Sequence, residues 1–329
     1  MTVAMSRVGY LLVVAVLLGG LALVPPAQSR VATPKGQQQT SSQGSVAEPA
    51  TTDEFTERLV ADLTASGFQV SQGYPKLYPL DACIHYTYPL LGNCFGNNPA
   101  APYVMPVVES WPDEYVDPAT VNAWGQTRPG FSATYRLGQR EAIVIYGEMP
   151  PPGKYMGLQT LVFSAHGRWK AKDFDLWANT PDLPFPMQYL FGTIPPNDPK
   201  SRRVRSMSAL GDIVNNVVME RQSGYPFGET RYFIITPSAT TDHAVRRALQ
   251  AQGVPDNYIF TEQIPSGDEF GPIAPLGMGK NAIDFASFFR YAIPDPGYVI
   301  AAEQWRADPP LTVLRVPLPP WVRCGVTTR

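Results

Sequence analysis

The chain is poor in the residues that most often carry enzymatic chemistry. It has three cysteines and three histidines in 329 residues. The segment "CIHYTYPLLGNC", residues 83 to 94, sets two Cys around one His without the paired ligand spacing of a zinc site. Gly-X-Ser-X-Gly, His-Glu-X-X-His, Walker and strand-to-helix Rossmann signatures are missing. That removes particular mechanisms, not enzymes as a class, and no cofactor or metal is expected. No Asn-X-Ser/Thr sequon with a permitted middle residue occurs, so glycosylation has no part. Charge of one sign is lacking too: 26 basic against 28 acidic residues give a net charge of -2 and a pI near 6.0. Such a balance offers no electrostatic argument for nucleic acid or for an anionic membrane surface, and neither is expected as a partner. No period of about 20 to 50 residues is present, so nothing supports a solenoid or propeller built from repeats.

What is present is apolar substance. With 44% hydrophobic and 16% charged residues the chain can bury a sizeable core. Its 35 prolines are roughly twice the usual ~5% share. Together with the 27 glycines they stay below the ~25% typical of structureless chains. They read as stiffeners of long loops in a folded protein.

The amino-terminal segment predicts export. Arg7 and the terminal amine precede an uncharged apolar run from Val8 to Val24, and Ala27-Gln28-Ser29 offers small residues for cleavage after Ser29. Residues 1–29 are therefore expected to be a signal peptide of a secreted or extracytoplasmic protein. The rival expectation is an uncleaved amino-terminal anchor, the one route by which a membrane would become a partner. Residues 30–50 carry no aromatic and are rich in Gln, Ser and Thr, the composition of a disordered linker. In an oxidising compartment Cys83 and Cys94 are expected to close a disulfide, with Cys324 left over.

Residues 51–329 are expected to form a globular α+β domain, with two lobes at 51–178 and 206–329 as an alternative. "TTDEFTERLVADLTASGF" has helical spacing at Phe55, Leu59, Val60 and Leu63 before Gly67. Residues 75–130 hold prolines and aromatics without a period and predict long loops with short strands. "FSATYRLG", "EAIVIYGEM", "MGLQTLVFSAHG" and "RWKAKDFDLWA" predict strands of an antiparallel meander. The second part predicts a helix capped by Ser206 and ending near Gly224, and then a βαβ unit from "ETRYFIITP", "SATTDHAVRRALQAQGV" and "DNYIFTEQI". A helix over "KNAIDFASFFRYAI" and a strand over "PLTVLRVPL" close the chain.

The candidate chemistry starts at "GEMPPPGKYMGLQT", where Glu148 stands between an apolar strand and three prolines. A carboxylate at the end of a buried strand can have its pKa raised and act as general acid or base, with Tyr155 and Lys154 orienting a substrate. The plainer reading is a solvated acid beside a rigid turn. Glu141, Asp173 and Asp175 are nearby acids in sequence. His166 and Ser164 share a strand face, the spacing of a Ser-His contact, although adjacent Gly167 is as well explained by a turn. His243 reads as part of a helix start with Thr240, Thr241 and Asp242. Gly277, Gly279 and Lys280 would form an anion site if a helix starts there. Tyr86, Tyr88, Tyr103, Trp111, Tyr115 and Trp124 fall in the loop-rich part, and aromatics in loops suit stacking on a small or oligomeric ligand. Glu148, Tyr155 and His166 are thus the catalytic candidates, and Lys154, Tyr88, Tyr103, Trp111 and Trp124 the ligand-binding ones. Two functions follow: a metal-independent extracytoplasmic enzyme, or a secreted binding module with an aromatic-lined loop site. An envelope structural or interaction role is the third.

Overall fold

The computed structural model describes residues 52–91, 94, 97, 99–118, 120–166, 202–209, 214–265 and 275–318. The expected signal segment and linker, the segment "RWKAKDFDLWA" and Cys324 lie outside them. In chain order the main elements are α1 (Thr52–Ala65), β1 (Ser71–Gln72), β2 (Tyr74–Tyr78), β3 (Tyr103–Glu109), β4 (Phe131–Ser132), β5 (Glu141–Glu148) and β6 (Gly153–His166). They continue with β7 (Arg202–Ala209), β8 (Val214–Asn215), α2 (Asn216–Ser223), β9 (Thr230–Thr236), α3 (Ala239–Ala251), β10 (Ile259–Gln263), β11 (Asp284–Pro294), α4 (Val299–Ala307) and β12 (Leu311–Pro317). The fold is α+β.

Two sheets organise these elements. The first runs β1-β12-β5-β9-β10 and is mixed, because β9 and β10 are parallel across α3 as a βαβ unit. The second runs β2-β3-β11-β6-β7, with β4 on β3 and β8 on β6, and its pairs are antiparallel. Each sheet draws strands from both halves of the chain. The antiparallel pairing expected of neighbouring strands is present, but largely between partners distant in sequence: β5 lies between β12 and β9, and β6 beside β11.

Strand alternation sorts the apolar residues into three buried layers. Ala142, Val144 and Tyr146 of β5 join Leu314, Val316 and Ile234 under α1 and α3, where Leu59, Leu63, Val245 and Leu249 cover them. The intervening Ile143 and Ile145 face the other way, with Phe233, Ile235 and Val313, onto Leu158, Val162, Phe285 and Phe289 of the second sheet. The far side of that sheet, Met105, Val107, Phe163 and Phe288, is covered by Tyr78, Cys83, Cys94 and Trp124.

Two helices expected from the sequence differ in the structure. Residues 284–293 of the expected helix "KNAIDFASFFRYAI" fall in β11, whose first six residues are all buried because both faces of this inner strand are covered. An apolar run buried on both sides has no two-residue period, so periodicity alone does not separate it from a helix. Ser206 lies in β7, and the cap of α2 is Asn215, whose side chain accepts from Val218 N at 3.0 Å.

The three prolines carry the chain from one sheet to the other. Just before them Gly147 lies against the 310–311 backbone, where an added Cβ would sit 2.0 Å from the Pro310 oxygen. Pro150 O accepts from Gly228 N, and Pro152 O from Asp295 N at 2.9 Å. "GEMPPPG" is therefore a clamped crossover between layers.

Cys83 and Cys94 form a disulfide with Cα atoms 5.7 Å apart. It closes the cover over the outer layer, next to Tyr78 and Trp124. A loop of this size is worth about 3 kcal/mol in the chain-entropy picture. Cys83→Ala with Cys94→Ala should lower the unfolding free energy by about that amount. Urea titration of wild type under oxidising and reducing conditions should give the same difference; overlapping curves would show that the cross-link constrains nothing.

Candidate functional site

The structure separates the residues first proposed as catalytic. Tyr155 and His166 occupy positions 3 and 14 of the 14-residue strand β6, roughly 35 Å apart at ~3.3 Å per residue. They cannot converge on one substrate. Glu148 ends β5 with an exposed side chain, and its backbone is the anchored part: Trp305 Nε1 donates to Glu148 O at 2.9 Å. Lys154 is paired with Asp295 on the surface. Ser164 donates to Asp284 Oδ2 at 2.6 Å from a fully buried position, so its hydroxyl is engaged by an acid on the neighbouring strand.

The loop aromatics mostly turn inward. Trp124 is a core residue, edge-on to Tyr78 and Phe288 and tilted against Phe163, because the outer face of the second sheet needs a large apolar cover. Tyr88 packs against the same layer, and Tyr103 lies beneath Arg290, whose guanidinium carbon is 3.9 Å from the ring centre. Trp111 alone of the five ligand-binding candidates lines one of the two cavities described below. Gly277, Gly279 and Lys280 do not open a helix. They form the turn into β11, with Gly277 at φ 120° and its N–H donated to Leu137 O, so the expected helix-end anion site is not formed there.

A buried cluster of charges gathers at the end of the first sheet where β5 begins and β12 ends. Arg315 of β12 is fully buried. Its Nε donates to Glu141 Oε1 at 2.7 Å, Nη1 to Glu114 Oε2 and to Glu109 O at 2.6 Å each, and Nη2 to Arg136 O at 2.7 Å. Burial acts to lower the pKa of this guanidinium, but Glu141 and Glu114 outweigh it and hold the group above its ordinary range. Glu141 also accepts from Trp111 Nε1 at 2.8 Å and from Gly138 N at 2.7 Å. Glu114 accepts from Arg136 N at 2.8 Å and Trp111 N at 3.0 Å. Arg136 in turn lies 3.0 Å from Asp284. One cation thereby joins both sheets and two loop segments.

Those loops wall an open cavity of about 680 Å³, lined by Trp111, Pro112, Asp113, Gln139, Glu141 and Met278. A second cavity of about 700 Å³ lies between α1 and α3 and runs along α3 from its cap to its last residue, lined by Asp62, Phe68, Ser238, Thr241, His243, Arg247 and Ala251 among others. Arg140 and Leu318 belong to the walls of both. The pair thus meets at Arg140, at the carboxyl end of β9 where the βαβ unit turns into its helix, a common place for ligands in open α/β sheets. Both volumes are in the usual range for small-molecule sites.

A second polar network crosses the layer between the sheets. Glu262 of β10 accepts from both the N–H and the hydroxyl of Thr160, the latter at 2.7 Å. Thr160 Oγ1 is 2.7 Å from Ser287 Oγ, and Ser287 Oγ is 2.5 Å from the Tyr135 hydroxyl. Burial pushes Glu262 up to about 7 against the opposing pull of the Thr160 hydrogen bonds. It lines neither cavity.

Comparison of the chain with known protein families, with characterised proteins and with solved structures gives no match. The site therefore rests on its own geometry. Among the described residues no group of three or more His, Cys, Asp or Glu side chains is placed to hold a metal ion. None of their helices is long and apolar enough to cross a membrane. Sequence reading reached Trp111, and noted Glu141 and His243, but did not join them. Arg140, Arg315 and Met278 carried no local signal, since their roles come from contacts between strands and loops far apart in the chain.

Replacing Arg315 by Met should strand Glu141 and Glu114 in the interior and cost about 3–5 kcal/mol. Chemical denaturation would measure it, and a loss below 1 kcal/mol would mean that the cluster repacks. Glu262 makes a separate prediction. Its folded-state pKa lies above the unfolded value of 4.5, so between pH 4.5 and about 7 the folded chain keeps a proton that the unfolded chain releases. Stability from this group is fully present below that window and falls by about 3 kcal/mol as pH rises through it. Glu262→Gln should flatten that slope in denaturation curves taken from pH 4.5 to 8, and parallel wild-type and variant profiles would refute it.

Proposed function

We propose that the protein is an exported binding module that holds a small organic ligand in the cleft meeting at Arg140 without transforming it. The observation that carries this reading is the state of Glu141, the buried carboxylate in the wall of the Trp111 cavity. Three donors, Arg315 Nε, Trp111 Nε1 and Gly138 N, already occupy it. A carboxylate held in that way is a structural acceptor, and acid–base work needs a group free to exchange its proton. Its ion pair instead makes the wall rigid, which lowers the ordering cost of binding. Trp111, Pro112 and Met278 supply apolar surface, with Gln139, Arg140 and Asp113 as the polar groups that orient a guest.

Export rests on the amino-terminal segment and is supported by the Cys83–Cys94 disulfide, since such bonds persist in oxidising compartments.

Titration of the protein with a panel of small aromatic and aliphatic metabolites, followed by tryptophan fluorescence, should find saturable ligands whose signal is lost in Trp111→Phe. Ligand recovered after incubation should be chemically unchanged by mass spectrometry. Conversion of a bound compound would replace the binding reading with an enzymatic one; signal retained in Trp111→Phe would place the site elsewhere.

A further inference from the structure

The cavity beside α3 has features that bear on the chemical class of the ligand, an inference that rests on the binding reading above. α3 starts at Ala239 behind Ser238, and a helix leaves its first N–H groups without intrahelical acceptors. Two of them find side-chain acceptors: Thr241 N donates to the Ser238 hydroxyl and Ser238 N to the Thr236 hydroxyl, each at 3.1 Å. The N–H groups of Ala239 and Thr240 have no acceptor among the described residues, and of these two residues Thr240 lines the cavity.

A second observation, independent of the helix end, comes from the Thr241 side chain. Thr241 is 1% exposed and lines this cavity, yet its hydroxyl has no hydrogen-bond partner among the described residues. A buried hydroxyl rarely stays unsatisfied in a native protein, because desolvating it without a partner costs free energy. An oxygen at the cavity floor would supply what is missing. Charge in the walls selects the sign of that oxygen. Arg140, His243 and Arg247 face one acid, Asp62, whose carboxylate already accepts from Gln252 Nε2. A backbone N–H at a helix start, a hydroxyl donor and two guanidinium groups together form a setting for an oxyanion.

We propose that this cavity receives the oxyanion group of the ligand, a phosphate or carboxylate, while its uncharged part lies against Trp111, Pro112 and Met278 on the other side of Arg140. The ligand class is then a small amphiphilic organic anion. Thr241 donates its hydroxyl to the head group, and Arg247 supplies an exposed counter-charge on the same helix.

Isothermal titration of the full chain with inorganic phosphate, and separately with acetate, tests the head-group site, and which of the two saturates distinguishes the sources. Thr241→Val and Arg247→Ala should each weaken the binding at least tenfold while leaving the thermal melt of the unliganded protein unlowered. Absence of saturable binding by either anion would overturn the proposal, and so would equal affinity in wild type and both variants, the mark of an adventitious ion only. Neutral ligands read by Trp111 fluorescence separate this result from the parent reading. If they bind and the anions do not, only the oxyanion assignment falls; if neither binds, both fall.

Discussion

Arg315 is the residue through which the two sheets are tied at one end. It sits on the inner face of β12, where Leu311 and Val313 before it are apolar. A lone guanidinium in that layer would be prohibitively costly to desolvate. Glu141 and Glu114 neutralise it, the carbonyls of Glu109 and Arg136 take two more of its donors, and Met278 Sδ lies 3.9 Å from Nη2. Relative to a well-packed apolar substitute such a cluster stabilises little. Its consequence is positional: β12, β5, the end of β3, the Trp111 loop and the 136–138 segment satisfy their charges only in one mutual arrangement. The cleft wall inherits that rigidity.

The same layer shows how polar groups are tolerated inside a two-sheet core. Glu262, Thr160, Ser287 and Tyr135 come from both sheets and a connecting segment, and they form a continuous hydrogen-bonded line. If Tyr135 donates to Ser287, Ser287 to Thr160 and Thr160 to Glu262, each hydroxyl has an acceptor. Reversing the line would leave the buried Tyr135 hydroxyl proton without one. The direction of the chain of donors follows from that count. Apolar neighbours on either side keep water out, which is why the carboxyl at its end is pushed towards neutrality.

Sequence reading reached the local features and missed those that depend on distant partners. α1, the β9-α3-β10 unit, β12 and the disulfide announce themselves by spacing, by helix and strand alternation within a short stretch, and by a cysteine pair. β11 does not, because a strand covered on both faces reads as an unbroken apolar run. The crossing of β5 and β6 into different sheets was hidden for another reason: three prolines signal a rigid turn but not where it leads. In the site, Trp111 stood out by residue type. Arg140 and Arg315 look like any surface arginine in the sequence, and only pairing of residues 141 and 315 across two neighbouring strands reveals that one of them is buried.

Binding and catalysis make opposite demands on the groups at a site. A catalytic acid or base must exchange its proton during turnover, so its hydrogen bonds must leave one lone pair or proton free. Around the Trp111 cavity Glu141 and Glu114 each accept three hydrogen bonds, from Arg315, Trp111, Gly138 and Arg136 donors, and are held as structural acceptors. Unsatisfied capacity is found at the other cavity, in the Thr241 hydroxyl and the Thr240 N–H. Those groups donate; they do not take protons. Donors left open in a cleft wall are complementary to an electron-rich guest in its ground state, and the rigid acids of the neighbouring wall hold that shape in place.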